Sequence, residues 1–259
     1  MALITIQFHA KSLARSVPLR AFLPVDGDAP PETPLPALYL LHGLNGSESD
    51  WFTYSRAALY AREFGLAVFC PAGENSFYVP QAASGIDYLR FIGEELPAFT
   101  RRLFPLSAER EKTFIGGLSM GGYGALNAGY VYPQTFGKVV ALSAALEPWR
   151  LMTQTDSTES VRRPRYARAL FGESPYAGDT LTLARKCGNR APEIHMACGA
   201  EDALLPVNIA FTEALRAEGL PPAHFDITPG AHTWDFWDRE IRRGMQFLMD
   251  HPIDAPLPA

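Results

Sequence analysis

The chain of 259 residues has few cysteines, no basic excess and no long apolar run. Each shortage argues against a class of function. Three cysteines, Cys70, Cys187 and Cys198, make an odd count without Cys-x-x-Cys spacing, so no disulfide framework is indicated. Cys70 in "LAVFCPAG" and Cys198 in "EIHMACGA" sit in apolar runs and read as buried thiols of a reducing compartment. No pair of histidines or cysteines has zinc-ligand spacing, so no metal is expected. Lys and Arg number 23 against 28 Asp and Glu, a formal net charge of -5. Nucleic acid as a partner needs the opposite balance. No apolar run reaches the length of a membrane span. The opening "MALITIQFHAKSLARSV" lacks the charged start and apolar stretch of a secretory leader. The expectation is therefore a cytoplasmic protein with neither membrane nor nucleic acid as partner.

What is present suits a large globular domain. Hydrophobic residues make up 47% and charged residues 20%, enough apolar material for a sizeable core. "ITIQFHA" and "VPLRAFLP" read as two strands joined by a short polar turn. "VDGDAPPETPLP" is a loop. The short apolar runs "ALYLLHG", "LAVFCPAG", "KTFIGG", "KVVALSA" and "EIHMACG" then suit strands buried on both faces of a parallel sheet. Helical patterns lie between them. "WFTYSRAALYAREFG" reads as one helix ending at Gly65. "IDYLRFIGEELPAFTRRLFP" reads as a helix that Pro97 must kink or divide. "MGGYGALNAGYVYP", "LPVNIAFTEALRAEGLPP" and "WDFWDREIRRGMQFLMDH" read as three more. The expected fold is α/β: a mostly parallel central sheet, helices on both faces and an N-terminal antiparallel hairpin. Residues 1–259 are expected to form one domain, with a cap-like excursion at 147–192, longer than one crossover helix needs. Within it, "SVRRPRYARALFG" is locally basic, and a solvated helix face is favoured over an anion site.

"FIGGLSMGGYGAL" packs five glycines around one serine. Gly117-Leu118-Ser119-Met120-Gly121 is a Gly-x-Ser-x-Gly motif between a strand and a helix, the context of a nucleophile elbow. Such a turn leaves no room for side chains two before and two after the serine. It also puts the Met120 N–H at a helix N-terminus, where it can face a developing oxyanion. A serine needs a base. Of six histidines, His232 in "TPGAHTWDFW" follows the last strand and precedes the last helix, which places it on the edge that carries Ser119. The acid should follow an intervening strand. "HMACGAEDALLP" offers Asp202, with Glu201 as the minority choice. Asp235 and Asp238 read as surface pairs or a cap. After the early strand, "HGLNGSESDW" provides Leu44 as second backbone oxyanion donor. Trp51 and His42 are candidates for the substrate pocket, Trp51 with equal weight given to a place in the core.

Together "LLHGLNGSESDW", "ENSFYV", "GGLSMGGYGAL", "CGAEDALLPVN" and "GAHTWDFWDREI" resemble the tributyrin-esterase branch of the esterase D family, in the α/β-hydrolase superfamily. The resemblance runs from about residue 37 to 249. It implies a serine carboxylesterase acting on short acyl esters, without a cofactor. It implies Ser119, Asp202 and His232 as the triad and Leu44 and Met120 as oxyanion donors. The family also holds S-formylglutathione hydrolases, feruloyl and acetylxylan esterases and mycolyltransferases. The first of these usually carry a cysteine where this loop reads "LNGSES", which weakens a thioester reading. The expected partner is a small-molecule ester. A thioesterase or acyltransferase on the same residues is the rival enzyme, and a binding protein that kept the fold is the rival of another class. "PQTFGKVV" and the final helix leave room for a homo-oligomer.

Overall fold

A computed structural model describes residues 2–25, 34–81, 83–152, 162–172 and 179–254. Its sheet has eight strands: β1 (Ala2–Ala10), β2 (Arg15–Leu23), β3 (Ala37–Leu41), β4 (Ala67–Pro71), β5 (Thr113–Leu118), β6 (Lys138–Leu142), β7 (Glu193–Gly199) and β8 (His224–Thr228). The spatial order is β1-β2-β4-β3-β5-β6-β7-β8. β1 pairs antiparallel with β2, and β2 with β4; every other pairing is parallel. Every residue of β3, β4, β5 and β6 is buried, as an apolar strand covered on both faces requires.

The sheet divides the core in two. One face packs Phe91, Leu96, Tyr123 and Phe211 among others. The opposite face packs Trp51, Tyr60, Phe236, Ile241 and Met245. The helices are α1 (Asp50–Tyr54), α2 (Ala57–Glu63), α3 (Tyr88–Arg90), α4 (Leu96–Leu103), α5 (Met120–Val131), α6 (Arg162–Phe171), α7 (Thr180–Cys187), α8 (Leu205–Ala217) and α9 (Trp234–Leu248). None of them is long and apolar enough to cross a membrane.

Two helix expectations need correction. "WFTYSRAALYAREFG" forms two helices, because Ser55 is extended and its hydroxyl donates to the Trp51 carbonyl at 2.5 Å and accepts the Ala57 N–H at 3.2 Å. Asp238 takes the Arg56 N–H at 2.7 Å and its guanidinium as well, which holds the break against α9. "IDYLRFIGEELPAFTRRLFP" does not break at Pro97. A π-helical turn over Phe91–Glu95 joins α3 to α4 just before Pro97, so the change of hydrogen-bond register falls where the proline has no N–H to give.

Of the excursion 147–192, residues 153–161 and 173–178 lie outside the described residues. The described part of the basic stretch forms α6, which sets Phe171 edge-on to Phe77 with ring centroids 5.7 Å apart. α7 begins at the Asp179 cap and ties to α5 through Thr180 Oγ1, which donates to Asn127 Oδ1 at 2.8 Å.

Candidate active site

Parallel strands deliver their C-terminal loops to one edge, and the chemistry-bearing residues lie there. Ser119 joins β5 to α5 with φ 54° and ψ -116°. That conformation is rare for a residue with a side chain, and it persists because the surroundings force it. A Cβ on Gly117 would lie 2.6 Å from the Gly121 carbonyl carbon and 2.8 Å from the Leu41 oxygen. One on Gly121 would lie 2.5 Å and 2.7 Å from the Leu41 and His42 oxygens. These obstacles are backbone and cannot rotate away. Gly121→Ala is therefore expected to lower stability by about 3 kcal/mol or more, read as a fall in urea midpoint. An unchanged midpoint would contradict this account of the turn.

His232 Nε2 lies 3.1 Å from Ser119 Oγ, and its Nδ1 lies 2.8 Å from Asp202 Oδ2. The Asp202 side chain is fully buried; that of His232 is 38% exposed. Burial works against the Asp202 charge. Hydrogen bonds from His232, the Leu204 N–H and Ser143 outweigh it, and the carboxyl lies below its ordinary range. A buried carboxylate that accepts from Nδ1–H leaves the Nε2 lone pair for the serine proton. Glu201 does something else: it is exposed and takes the Gly230 N–H at 2.7 Å.

Sequence reading missed the residues that hold this line in place. Trp237 stands edge-on to the His232 ring at 4.8 Å, and its Nε1–H donates to Ser143 Oγ at 3.2 Å. Ser143 follows β6 with φ 47°. No motif flags it, since its role depends on Asp202 and on Trp237 of α9, both far along the chain.

Leu44 and Met120 both line a cavity of about 280 Å³ at Ser119, with Phe77, Ala145, Glu147, Pro148, Ala203, Leu204 and Val207 among its other walls. Met120 is the first residue of α5, where backbone N–H groups have no intrahelical acceptor. The Leu44 loop is clamped from the side. The Asn45 N–H donates to Asn75 Oδ1 at 2.7 Å, and Asn75 Nδ2 donates to Asn45 Oδ1 at 3.0 Å. Asn75 comes from "ENSFYV". A second cleft, about 570 Å³, opens on the other side of Ser119, between Leu44, Asp50, Tyr54, His232 and Trp234.

Trp51 takes the core place of its two alternatives, and His42, a pocket candidate, is interior as well. Trp51 is fully buried, donates Nε1–H to the Leu41 carbonyl at 3.0 Å and meets Trp234 edge-on at 5.3 Å. His42 is 1% exposed. Its Nδ1 lies 2.7 Å from the Gly43 carbonyl, and Nε2 accepts the Gly73 N–H at 2.9 Å. Burial lowers its pKa, so it stays neutral and ties the two loops together from below. An apolar run ending in His-Gly shows that a residue is interior but not which side of the loop it supports.

Residues 10–248 match the family Esterase, described as "Putative esterase". The chain is 36% identical over 263 residues to an acetyl esterase of Caldicellulosiruptor saccharolyticus, covering 96% of this chain and 98% of that one. Substrate-bound fluorophosphonate-binding serine hydrolase F of Staphylococcus aureus superposes with a TM-score of 0.82 at 30% identity, over 96% and 98% of the two chains. An S-formylglutathione hydrolase of the same organism gives 0.81 at 29%, with the same coverage. The family match spans nearly the whole chain, and the sheet carries the hairpin and parallel order expected of the fold. The chain therefore belongs to the Esterase family and is a carboxylic ester hydrolase built on the α/β-hydrolase fold.

Proposed function

We propose that the enzyme hydrolyses short-chain acyl esters through an acyl-enzyme on Ser119. The reading is carried by the continuous line from Ser119 Oγ through His232 to the buried Asp202. Ser119 Oγ attacks the ester carbonyl while His232 Nε2 takes its proton. The N–H groups of Leu44 and Met120 stabilise the oxyanion. The carbon–oxygen bond to the alcohol breaks as His232 returns the proton to the leaving oxygen. Water, deprotonated by His232, then attacks the acyl carbonyl. The acid leaves and Ser119 regains its proton.

The two cavities divide the substrate. The leaving oxygen must come within reach of His232, which lines the wider cleft, so the alcohol occupies that side. The acyl group then enters the cavity of about 280 Å³, below the common size of small-molecule sites. Its walls Phe77, Ala145, Leu204 and Val207 are apolar. The cytoplasmic reading is supported by three cysteines that are all free and buried.

A series of p-nitrophenyl esters tests the assignment. kcat/KM is expected to be highest from acetate to butyrate and to fall roughly tenfold or more by octanoate, as an extra chain outgrows the pocket. A profile rising to octanoate would overturn it. A second reading, hydrolysis of a glutathione thioester, is favoured by the likeness to the staphylococcal S-formylglutathione hydrolase and by the roomy alcohol side. S-formylglutathione assayed beside the esters separates the two.

A further inference from the structure

Away from the catalytic edge, β7 and β8 bring together three side chains that the esterase reaction does not use. His195 lies opposite His224 in the parallel register, and Ala197 opposite Asp226. Strand alternation therefore puts His195, His224 and Asp226 on one face of the sheet, the face covered by α9. One ligand atom from each lies within 4.8 Å of the others.

His195 is the anomaly. It is fully buried, and neither ring nitrogen has a hydrogen-bond partner among the described residues. A buried imidazole left in that state forfeits its hydrogen bonds to water without replacing them. Its neighbours are the Phe247 ring at 5.5 Å and the His224 ring stacked at 5.3 Å. With no described donor or acceptor beside either nitrogen, the ring has a lone pair to offer. His224 is half exposed and its Nε2 lies 3.2 Å from Asp226 Oδ1. Asp226 Oδ2 is held by Arg243 at 2.9 Å, which leaves Oδ1 turned to the two histidines. A carboxylate fixed by an outer partner in this way is a common support for a metal ligand. The Arg243 charge is itself shared with Glu240 and Asp254.

We propose that His195, His224 and Asp226 form a binding site for one zinc ion. Two imidazoles and a carboxylate are a borderline donor set that suits Zn²⁺. A tetrahedral ion with bonds of about 2.0–2.2 Å needs its ligands closer than the present spacing, and the exposed His224 is free to make that adjustment. The fourth position opens to solvent beside His224 and takes water. The ion would satisfy the orphaned His195 nitrogen. It would also staple β8, the last strand of the sheet, to β7. The site lies in the body of the strands rather than in the loops that carry Ser119, Asp202 and His232, so it is structural. Sequence spacing hides it because its ligands come from two strands with a helix between them.

The test uses tag-free, chelator-treated protein titrated with Zn²⁺ by calorimetry and with Co²⁺ by visible absorption. The expected result is one equivalent bound, tetrahedral Co²⁺ bands that Zn²⁺ abolishes, and a raised Tm. His224→Ala and Asp226→Asn should each weaken binding at least tenfold. Both should leave p-nitrophenyl acetate hydrolysis unchanged. His9→Ala, which removes an exposed histidine elsewhere, should bind as wild type. No binding by the wild-type chain, or equal binding by His224→Ala, would overturn the proposal.

Discussion

Ser119→Ala is expected to reduce kcat for p-nitrophenyl acetate by about 10⁵–10⁶-fold. The proposed reaction passes through a covalent bond to Ser119 Oγ, and the line contains no second nucleophile. What remains after the change is the pocket and the backbone donors, which still hold and polarise the ester. A residual rate of roughly 10³-fold above water is therefore compatible with the mechanism. Folding should survive, because the hydroxyl's contact is the exposed one with His232 and the backbone bonds of residue 119 do not involve it. Its N–H donates to Leu142 O at 2.8 Å, and its carbonyl accepts the Tyr123 and Ala145 N–H groups. Unchanged Tm together with lost labelling by a fluorophosphonate is the expected pair of results. Turnover within tenfold of wild type would remove Ser119 from the mechanism.

The reach of sequence reasoning follows from which interactions are local. β3 to β7 were legible because a strand buried on both faces has to be a short apolar run. The turn at Ser119 was legible because only glycine fits at 117 and 121, where backbone passes within 3 Å of a would-be Cβ. Asp202 was preferred over Glu201 on length and position, and in the structure Asp202 lies against His232 while Glu201 turns to Gly230. The misreadings concern contacts made across the chain. The break after α1 depends on Asp238, contributed by α9, and no pattern within "WFTYSRAALYAREFG" announces it. Position in the oxyanion loop leaves Trp51 open between pocket and core and makes His42 a pocket candidate. Their side chains point inward because Leu41 and Gly73 offer partners there.

The same division explains the site's stiffness. Each loop at the catalytic edge is braced by a residue from another loop: Asn45 by Asn75, Gly73 by His42, Gly230 by Glu201. Preorganised donors cost little rearrangement when charge develops, and such cross-loop bonds are how a loop-built site achieves that. Substrate selectivity then rests on the cavity walls, one of which, Phe77, is backed by Phe171 of α6.

Asp202→Asn is expected to lower kcat by about 10⁴-fold with a smaller effect on KM, and the reason lies in which oxygen is already committed. Asp202 Oδ1 accepts the Leu204 N–H at 2.8 Å, and Oδ2 faces His232 Nδ1. In the asparagine variant the amide oxygen must keep the Leu204 bond, since an NH₂ group cannot accept one. The NH₂ group then faces His232 and donates to Nδ1, which forces the proton onto Nε2. That nitrogen can no longer take the Ser119 proton. Stability responds separately. The Asp202 carboxyl is shifted below its ordinary range, so its ionised form stabilises the fold at neutral pH. That contribution is fully present above the unfolded-state value of about 3.9 and fades as pH falls through the lower folded-state value. The asparagine variant lacks this titration, so its urea midpoint should fall less steeply than wild type in that acid window. A kcat within tenfold of wild type would show that the tautomer of His232 is not set by Asp202.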